Sequence, residues 1–121
     1  MSTNHTYLAI FLGSKSGPQR AAWDALSESA RAARHQQGMA AWGAWAAKHQ
    51  AAILEIGGPL GKTKQVTQHG IEDVSNGMGA VALVRADSHE AAARMFENHP
   101  HFTIFPGDCV EIMPVLPPPR P

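Results

Sequence analysis

The sequence predicts a single α+β domain built from two strand–helix–strand units. Short apolar runs rich in β-branched and aromatic residues alternate with alanine-rich segments whose apolar positions lie three or four residues apart. The chain has 121 residues, which is the length of one domain. We expect residues 1–116 to form this domain and residues 117–121 to form a stiff, proline-rich tail.

The first unit begins with a strand and continues into two helical pieces. Thr6–Leu12 is a continuous apolar run that ends before a glycine and a serine, which favours a buried strand. Pro18 suits the first position of a helix, and Gly38 is placed to cap that helix. A second helical piece is predicted over Met39–Gln50, and a strand follows at Ala51–Ile56.

A polar insertion separates the two units. Lys64–His69 is polar on both faces and gives only a weak strand signal, and Val74–Gly77 is predicted to be a turn. Gly79–Arg85 then has the continuous apolar character of a central strand. The insertion is therefore expected to lie between the second and third strands of the sheet.

The second unit has a clear start signal for its helix. Asp87 lies three residues before Glu90, which matches the spacing of a capping box, and Pro100 is expected to end the helix. Cys109–Val115 alternates as the last strand, and Pro114 indicates an edge or an end because proline has no backbone donor.

This order of elements is the split βαβ arrangement of ferredoxin-like folds. Such a sheet carries helices on one face only, so its other face needs a cover. Twenty of the residues are alanine, and alanine buries little apolar area. We therefore expect a second copy of the chain to cover the open face of the sheet, which would make the protein a homodimer.

Composition argues against several classes of function. Ten Lys and Arg residues balance ten Asp and Glu residues, so a nucleic-acid or anionic-membrane surface is not expected. No apolar run is long enough to cross a bilayer, and Met1–Thr6 lacks the pattern of a signal peptide. Cys109 is the single cysteine, which excludes an internal disulfide. A cytoplasmic protein without membrane or nucleic-acid partners is expected.

The second half of the chain contains four short segments whose order and spacing can be compared with those of known families. These are the strand Ala80–Val84, the helix start Ala86–Ala92, the turn His99–Phe102 and the last strand Asp108–Pro114, and Gly57–Leu60 precedes them as a glycine-rich turn. Their order and spacing resemble the YCII-related family and its DGPF-like relatives. The resemblance covers residues 51–116 and implies a dimeric α/β barrel.

The chain departs from the resemblance at the residues that would carry the chemistry. Active YCII-type members pair a histidine of the first helix with the aspartate of an Asp-Pro turn. Here His99 stands where that aspartate would be, and the nearest histidines of the helical region, His35 and His49, do not match the expected position. The acid–base pair of the family therefore does not transfer to this chain.

Histidines are the main candidates for chemistry, because imidazole titrates near neutral pH. His99 and His101 flank Pro100, and Asp108 follows as a carboxylate that could orient one of them. These three side chains are our predicted catalytic residues, and the alternative is a polar loop with exposed histidines. His99 and His101, with either Asp108 or His49, could also supply three ligands for a divalent metal ion, but a His-x-His spacing is weak evidence and we expect no metal.

Aromatic residues suggest a pocket. Trp42, Trp45 and His49 share one helical face, where they would line a site for a flat or cyclic ligand or simply pack against the sheet. Lys62 follows a glycine-rich turn that lacks the full phosphate-loop pattern. It would either be a solvated lysine after a strand-end turn or attract an anionic substrate group to the pocket mouth. Phe102–Pro106 is apolar enough to form a pocket wall or a dimer seam.

Three functions remain open on this sequence. The first is a cofactor-free enzyme, such as a lyase or isomerase, that performs acid–base chemistry on a small cyclic or aromatic metabolite in a histidine-lined pocket. The second is a non-catalytic homodimer that binds a metabolite or assists another enzyme. Haem or metal oxidation chemistry is a third alternative, and it predicts a coloured or metal-containing protein.

Overall fold

The computed structural model describes residues 5–119, which form a four-stranded antiparallel sheet, four helices and a separate two-stranded ribbon. Met1–Asn4, Arg120 and Pro121 lie outside the described residues, and with them most of the polar start and the end of the proline-rich tail. In chain order the elements are β1 (Thr6–Leu12), α1 (Pro18–Asp24), α2 (Glu28–Lys48), β2 (Ile53–Pro59), β3 (Thr63–Thr67), β4 (Gly70–Val74), β5 (Met78–Arg85), α3 (His89–Arg94), α4 (Pro100–Thr103) and β6 (Cys109–Pro114).

The sheet has the strand order β2–β5–β1–β6, and each neighbouring pair is antiparallel. Two strand–helix–strand units paired in this order form a ferredoxin-like fold. The predicted fold class is therefore confirmed, and the predicted edge position of the last strand is correct because β6 lies at one end of the sheet.

The core lies between the sheet and the helices. Tyr7, Ala9 and Phe11 occupy alternate positions of β1 and are buried, as are Ala82 and Val84 beside them on β5. Successive side chains of a strand point to opposite faces, so this pattern identifies the face that the helices cover.

The opposite face of the sheet carries a contiguous apolar patch. Leu8 pairs with Leu83, and Ile10 pairs with Val81, so the four side chains adjoin across β1 and β5. All four are only half-buried, and none belongs to the core formed with the helices. The structure therefore presents the open sheet face that the sequence predicts.

The helical region of the first unit breaks at Ala25–Ser27, so the prediction that Gly38 caps the first helix is wrong. The hydroxyl of Ser27 accepts a hydrogen bond from the amide of Ala30 at 3.1 Å and starts α2 there. Gly38 lies inside α2 and is buried. The ring of Phe105 lies so close that a Cβ atom at this position would overlap it. The glycine serves close packing and does not end a helix.

The second unit begins its helix one residue later than predicted. Ser88, not Asp87, is the N-cap, and its hydroxyl accepts from the amide of Ala91 at 3.0 Å. The helix α3 ends before Pro100, which instead begins the short helix α4.

The polar insertion forms a hairpin that the sequence analysis indicated only weakly. The strands β3 and β4 pair from Thr63 opposite Val74 to Thr67 opposite Gly70, and Gly70 has a φ of +119° at the turn. Val74 thus ends a strand and does not belong to a turn. Nearly all side chains of the hairpin are exposed, so it lacks the apolar alternation from which strands are recognised.

The segment after β6 is exposed and irregular over Val115–Pro119. Within residues 5–119, no helix is long and apolar enough to cross a membrane.

Candidate functional site

A cavity of about 370 Å³ lies between α2 and the sheet. Its walls are aromatic, with Phe11 from β1, Trp42 and Trp45 from α2, and Phe105 from the segment after α4. The small side chains of β5 and the glycine-rich end of β2 complete the lining. This volume falls in the range of about 300–1,000 Å³ found for small-molecule sites.

His101 is the one titratable side chain that lines this cavity in the described part of the chain. Its Nε2 lies 2.7 Å from the carbonyl oxygen of Leu12. Because a carbonyl oxygen only accepts, Nε2 must carry the proton and donate it, and Nδ1 of the neutral ring then holds a free lone pair. His101 therefore has the tautomer of a proton acceptor whose basic atom is Nδ1.

Packing holds the His101 ring in this orientation. The ring meets Phe11 edge-on, with centroids 5.4 Å apart and planes at 77°. It also covers Gly107 so closely that a Cβ atom there would overlap it. The glycine is needed at this position because the imidazole occupies the space of a side chain.

His99 lies directly behind the cavity wall and is fully buried. Its Nδ1 accepts a hydrogen bond from the backbone amide of His101 at 3.0 Å, which makes it the N-cap of α4. The indole rings of Trp42 and Trp45 flank it, with centroid distances of 4.5 and 4.6 Å. Its Nε2 has no hydrogen-bond partner among the described residues.

The electrostatics of His99 favour the neutral ring. Burial lowers the pKa of His99 to about 4, and repulsion from the protonated forms of His101 and then His49 adds to the effect. The imidazole is therefore uncharged at neutral pH, which agrees with an Nδ1 that accepts a hydrogen bond. His99 positions the backbone that carries His101 and is unsuited to take up a proton at that pH.

The two tryptophans are placed by their spacing on α2. Residues three apart share a helix face, so Trp42 and Trp45 both turn toward the sheet. The indole nitrogen Nε1 of Trp45 donates to the carbonyl oxygen of Met95 at 2.6 Å, which anchors α2 to the end of α3. Trp42 packs on Phe11 with a centroid distance of 5.0 Å.

Asp108 lies near these groups but makes no side-chain hydrogen bond to His99 or His101 within the described structure. Its backbone amide donates to the carbonyl oxygen of Leu12 at 2.9 Å, so it shares this acceptor with His101. The acceptor that orients His101 is thus a main-chain carbonyl, where the sequence suggested the carboxylate.

His49 and Lys62 lie outside the cavity lining. His49 ends α2 and packs against Trp45 at a centroid distance of 5.3 Å, and burial followed by the charge of Lys48 lowers its pKa. Lys62 is exposed in the link between β2 and β3. Of the predicted site residues, the structure gathers His101, Trp42 and Trp45 at the cavity and places His99 immediately behind it.

Several lining residues were not among the predicted site residues. Phe11 and the segment Gly57–Pro59 belong to strands, where they resemble ordinary sheet residues in the sequence. Phe105 lies in the segment that was expected to form a pocket wall or a dimer seam, and it lines the cavity. In the part of the chain that the structure describes, no group of three or more His, Cys, Asp or Glu side chains could hold a metal ion.

The fold and this cavity define a ferredoxin-like α/β domain with an apolar, histidine-bearing site between its helices and its sheet. The structure is similar to that of 5-chloro-2-hydroxyhydroquinone dehydrochlorinase (TftG) from Burkholderia phenoliruptrix AC1100 in complex with 2,5-dihydroxybenzoquinone. The TM-score is 0.50 at 17% sequence identity, and the match covers 89% of this chain and 90% of the other. At this identity the likeness shows a common fold. Neither a protein-family model nor a curated protein matches the sequence.

Proposed function

We propose that this protein is an enzyme that performs acid–base chemistry on a small, hydroxylated planar ring. One observation carries the proposal: an apolar cavity with aromatic walls has, among residues 5–119, a single titratable lining group, His101, whose tautomer is set by the carbonyl of Leu12. A ligand ring would stack or pack edge-on against the aromatic walls, which favours a flat molecule. The likeness to a dehydrochlorinase bound to a dihydroxybenzoquinone supports the same ligand class.

The proposed chemical step is a proton transfer. Nδ1 of neutral His101 takes the proton of a ring hydroxyl, so the O–H bond breaks and an imidazolium and a phenolate form. The two opposite charges attract each other more strongly beside apolar walls than they would in bulk water. The same imidazolium can return its proton to the product. Proton transfer of this kind needs no cofactor, in keeping with the function predicted from the sequence.

His99 acts as a positioning residue in this proposal. Its Nδ1 holds the backbone amide of His101, and its low pKa keeps it neutral at the working pH. Asp108 supports the site through its backbone contact with Leu12. Of the three residues predicted to be catalytic, His101 is therefore the one that we propose to exchange protons with the ligand.

A non-catalytic role in binding a metabolite is the second candidate. It is favoured by the absence of a second titratable side chain among the described residues that line the cavity. Such a protein would hold the ring without moving a proton, so the ionisation state of the bound ligand separates the two functions.

The test uses 4-nitrophenol, whose phenol and phenolate forms have different absorbance spectra. His101→Gln retains an amide that can donate to Leu12 but removes Nδ1. We expect the wild-type protein to shift bound 4-nitrophenol toward the phenolate at a pH below the pKa of the free phenol. We expect His101→Gln to bind it with the spectrum of the neutral phenol.

His89→Gln is the matched control, because Nε2 of His89 lies 2.7 Å from the carbonyl oxygen of Ile112 in the same kind of contact, outside the cavity. It should behave as the wild type. Binding without any shift in the wild-type protein would contradict the enzyme and support the binding role. Absence of binding would contradict both.

We also propose that the protein is a homodimer in which the open sheet faces of two copies pack together. The patch of Leu8, Ile10, Val81 and Leu83 supports this arrangement, since a contiguous apolar sheet face is unfavourable in water. The dimer would leave the helical side of each sheet, and its cavity, available to a ligand.

A further inference from the structure

The strand β2 contains an irregularity beside the cavity. Ile56 is opposite Ala82 and Pro59 is opposite Ala80, so three residue steps on β2 face two steps on β5. One extra residue is therefore accommodated at Gly57–Gly58, which is the signature of a β-bulge. A bulge leaves its extra residue outside the ladder, so the hydrogen-bonding groups of its peptide are available to another partner.

The two positions of this bulge are occupied by glycine for different reasons. A Cβ atom at Gly57 would come within 2.7 Å of Cγ2 and 2.9 Å of the carbonyl oxygen of Val81, so the fold itself requires glycine there. A Cβ atom at Gly58 would have no heavy atom within 4 Å, and Gly58 does not have a positive φ. The fold would accept a side chain at Gly58, although this residue lines the cavity.

The polar groups of the cavity are few. His101 is the single titratable side chain of the described lining. The other side-chain donors of the walls are the indole N–H groups of Trp42 and Trp45, and that of Trp45 already donates to Met95. A ring with several oxygen substituents would bury some of them, and a buried polar group without a partner destabilises the complex. The main chain of the bulge is a further available partner, because glycine allows a ligand to approach the backbone closely.

We propose that the Gly57–Gly58 bulge is a second polar subsite, which hydrogen-bonds an oxygen substituent of the ring while another lies at His101. Gly58 is then a specificity-determining residue, since the lack of a side chain keeps the peptide groups of the bulge accessible. The ligand class narrows to planar rings with at least two oxygen substituents. This inference rests on the proposed function, because it assumes that a hydroxylated ring occupies the cavity.

The test compares two probes on Gly58→Ala. The substitution adds one methyl group to a residue that lines the cavity, without a clash in the fold. We expect its affinity for 2,5-dihydroxybenzoquinone, measured by calorimetry, to fall about tenfold, the effect of one lost hydrogen bond. Phenol has a single oxygen, which would lie at His101, so its affinity should change less than about twofold.

Gly61→Ala is the matched control, because a Cβ atom there also has open space and Gly61 does not line the cavity. It should bind both probes as the wild type does, and thermal melting should show that both variants are folded. An unchanged affinity of Gly58→Ala for 2,5-dihydroxybenzoquinone would overturn the proposed subsite. An equal loss of affinity for both probes would also overturn it, because that result would indicate that the methyl group only narrows the cavity. If the wild-type protein binds neither probe, the proposed function itself fails.

Discussion

His99 connects the ionisation of one side chain to the geometry of the site. Its imidazole lies among aromatic rings and accepts the hydrogen bond that begins α4. Protonation of Nδ1 would turn this acceptor into a donor facing another donor, the amide of His101. The folded state therefore resists protonation of His99, whose pKa is lowered to about 4 from the usual 6.5 by burial first and then by repulsion from His101 and His49.

This difference predicts a dependence of stability on pH. Below pH 6.5 the unfolded chain takes up a proton at His99, whereas the folded protein does so only near pH 4, so the free energy of unfolding falls as the pH falls through this window. The full loss from this residue is about 3 kcal/mol, since one pKa unit corresponds to about 1.4 kcal/mol. Urea unfolding at pH 7.5 and at pH 4.5 measures most of this loss, which is complete only below pH 4.

His99→Asn is the informative variant for this dependence. Asparagine is a good N-cap and does not titrate, so the variant should be less stable at pH 7.5 through lost packing but should show a flatter pH profile. His49→Gln serves as the control for the removal of a histidine, because His49 is another residue whose pKa is lowered by burial. Its pH profile is compared with that of His99→Asn. A His99→Asn profile as steep as that of the wild type would show that the dependence originates elsewhere.

At the scale of an element, the helix α2 determines the position of part of the cavity wall. It runs without a break from Glu28 to Lys48, and Gly38 in its middle lets Phe105 approach the helix backbone. Phe105 in turn forms part of the cavity wall. The close approach at one glycine thus sets the position of an aromatic ring at the site.

Two glycine substitutions in α2 should have effects of opposite sign. Gly43→Ala adds a methyl group into open space and should stabilise the protein by about 0.5–1 kcal/mol through helix propensity. Gly38→Ala gains the same propensity but forces the ring of Phe105 to move, and overpacking of this kind costs about 1–3 kcal/mol. Urea unfolding compares the free energies of unfolding of the two variants. Equal stabilisation of both would contradict this prediction, because it would mean that the ring of Phe105 moves aside without an energetic cost.

At the scale of the whole molecule, the open sheet face and the hairpin leave apolar surface without a partner in the described chain. Val66 and Ile71 pair across the hairpin and are 73% and 68% exposed. An isolated two-stranded ribbon is only marginally stable in water. Both features favour association of two copies, with the helical faces directed outward.

The dimer can be tested by sedimentation at micromolar concentration. We expect a particle of twice the 12.9 kDa protomer mass. Leu83→Lys places a charge in the middle of the open face and should yield monomers, whereas Ala40→Lys on the exposed side of α2 should leave the dimer intact. A wild-type particle of 12.9 kDa would contradict this arrangement and the prediction made from composition.

The sequence by itself determined the chain order of the main strands and helices, the helix start at Pro18 and the helix face that Trp42 and Trp45 share. Each of these depends on local periodicity or on one residue's backbone restriction, which short segments of sequence contain. The hairpin was only weakly indicated, because a ribbon exposed on both faces has no such periodicity.

Only the tertiary structure decided which group orients His101 and why Gly38 is a glycine. The oxygen that holds His101 is the backbone carbonyl of Leu12, 89 positions away, and every residue type has such a carbonyl. Gly38 likewise depends on a ring contributed by the segment after α4. Contacts of this kind arise when distant segments pack together, and neither spacing nor residue type records them in advance.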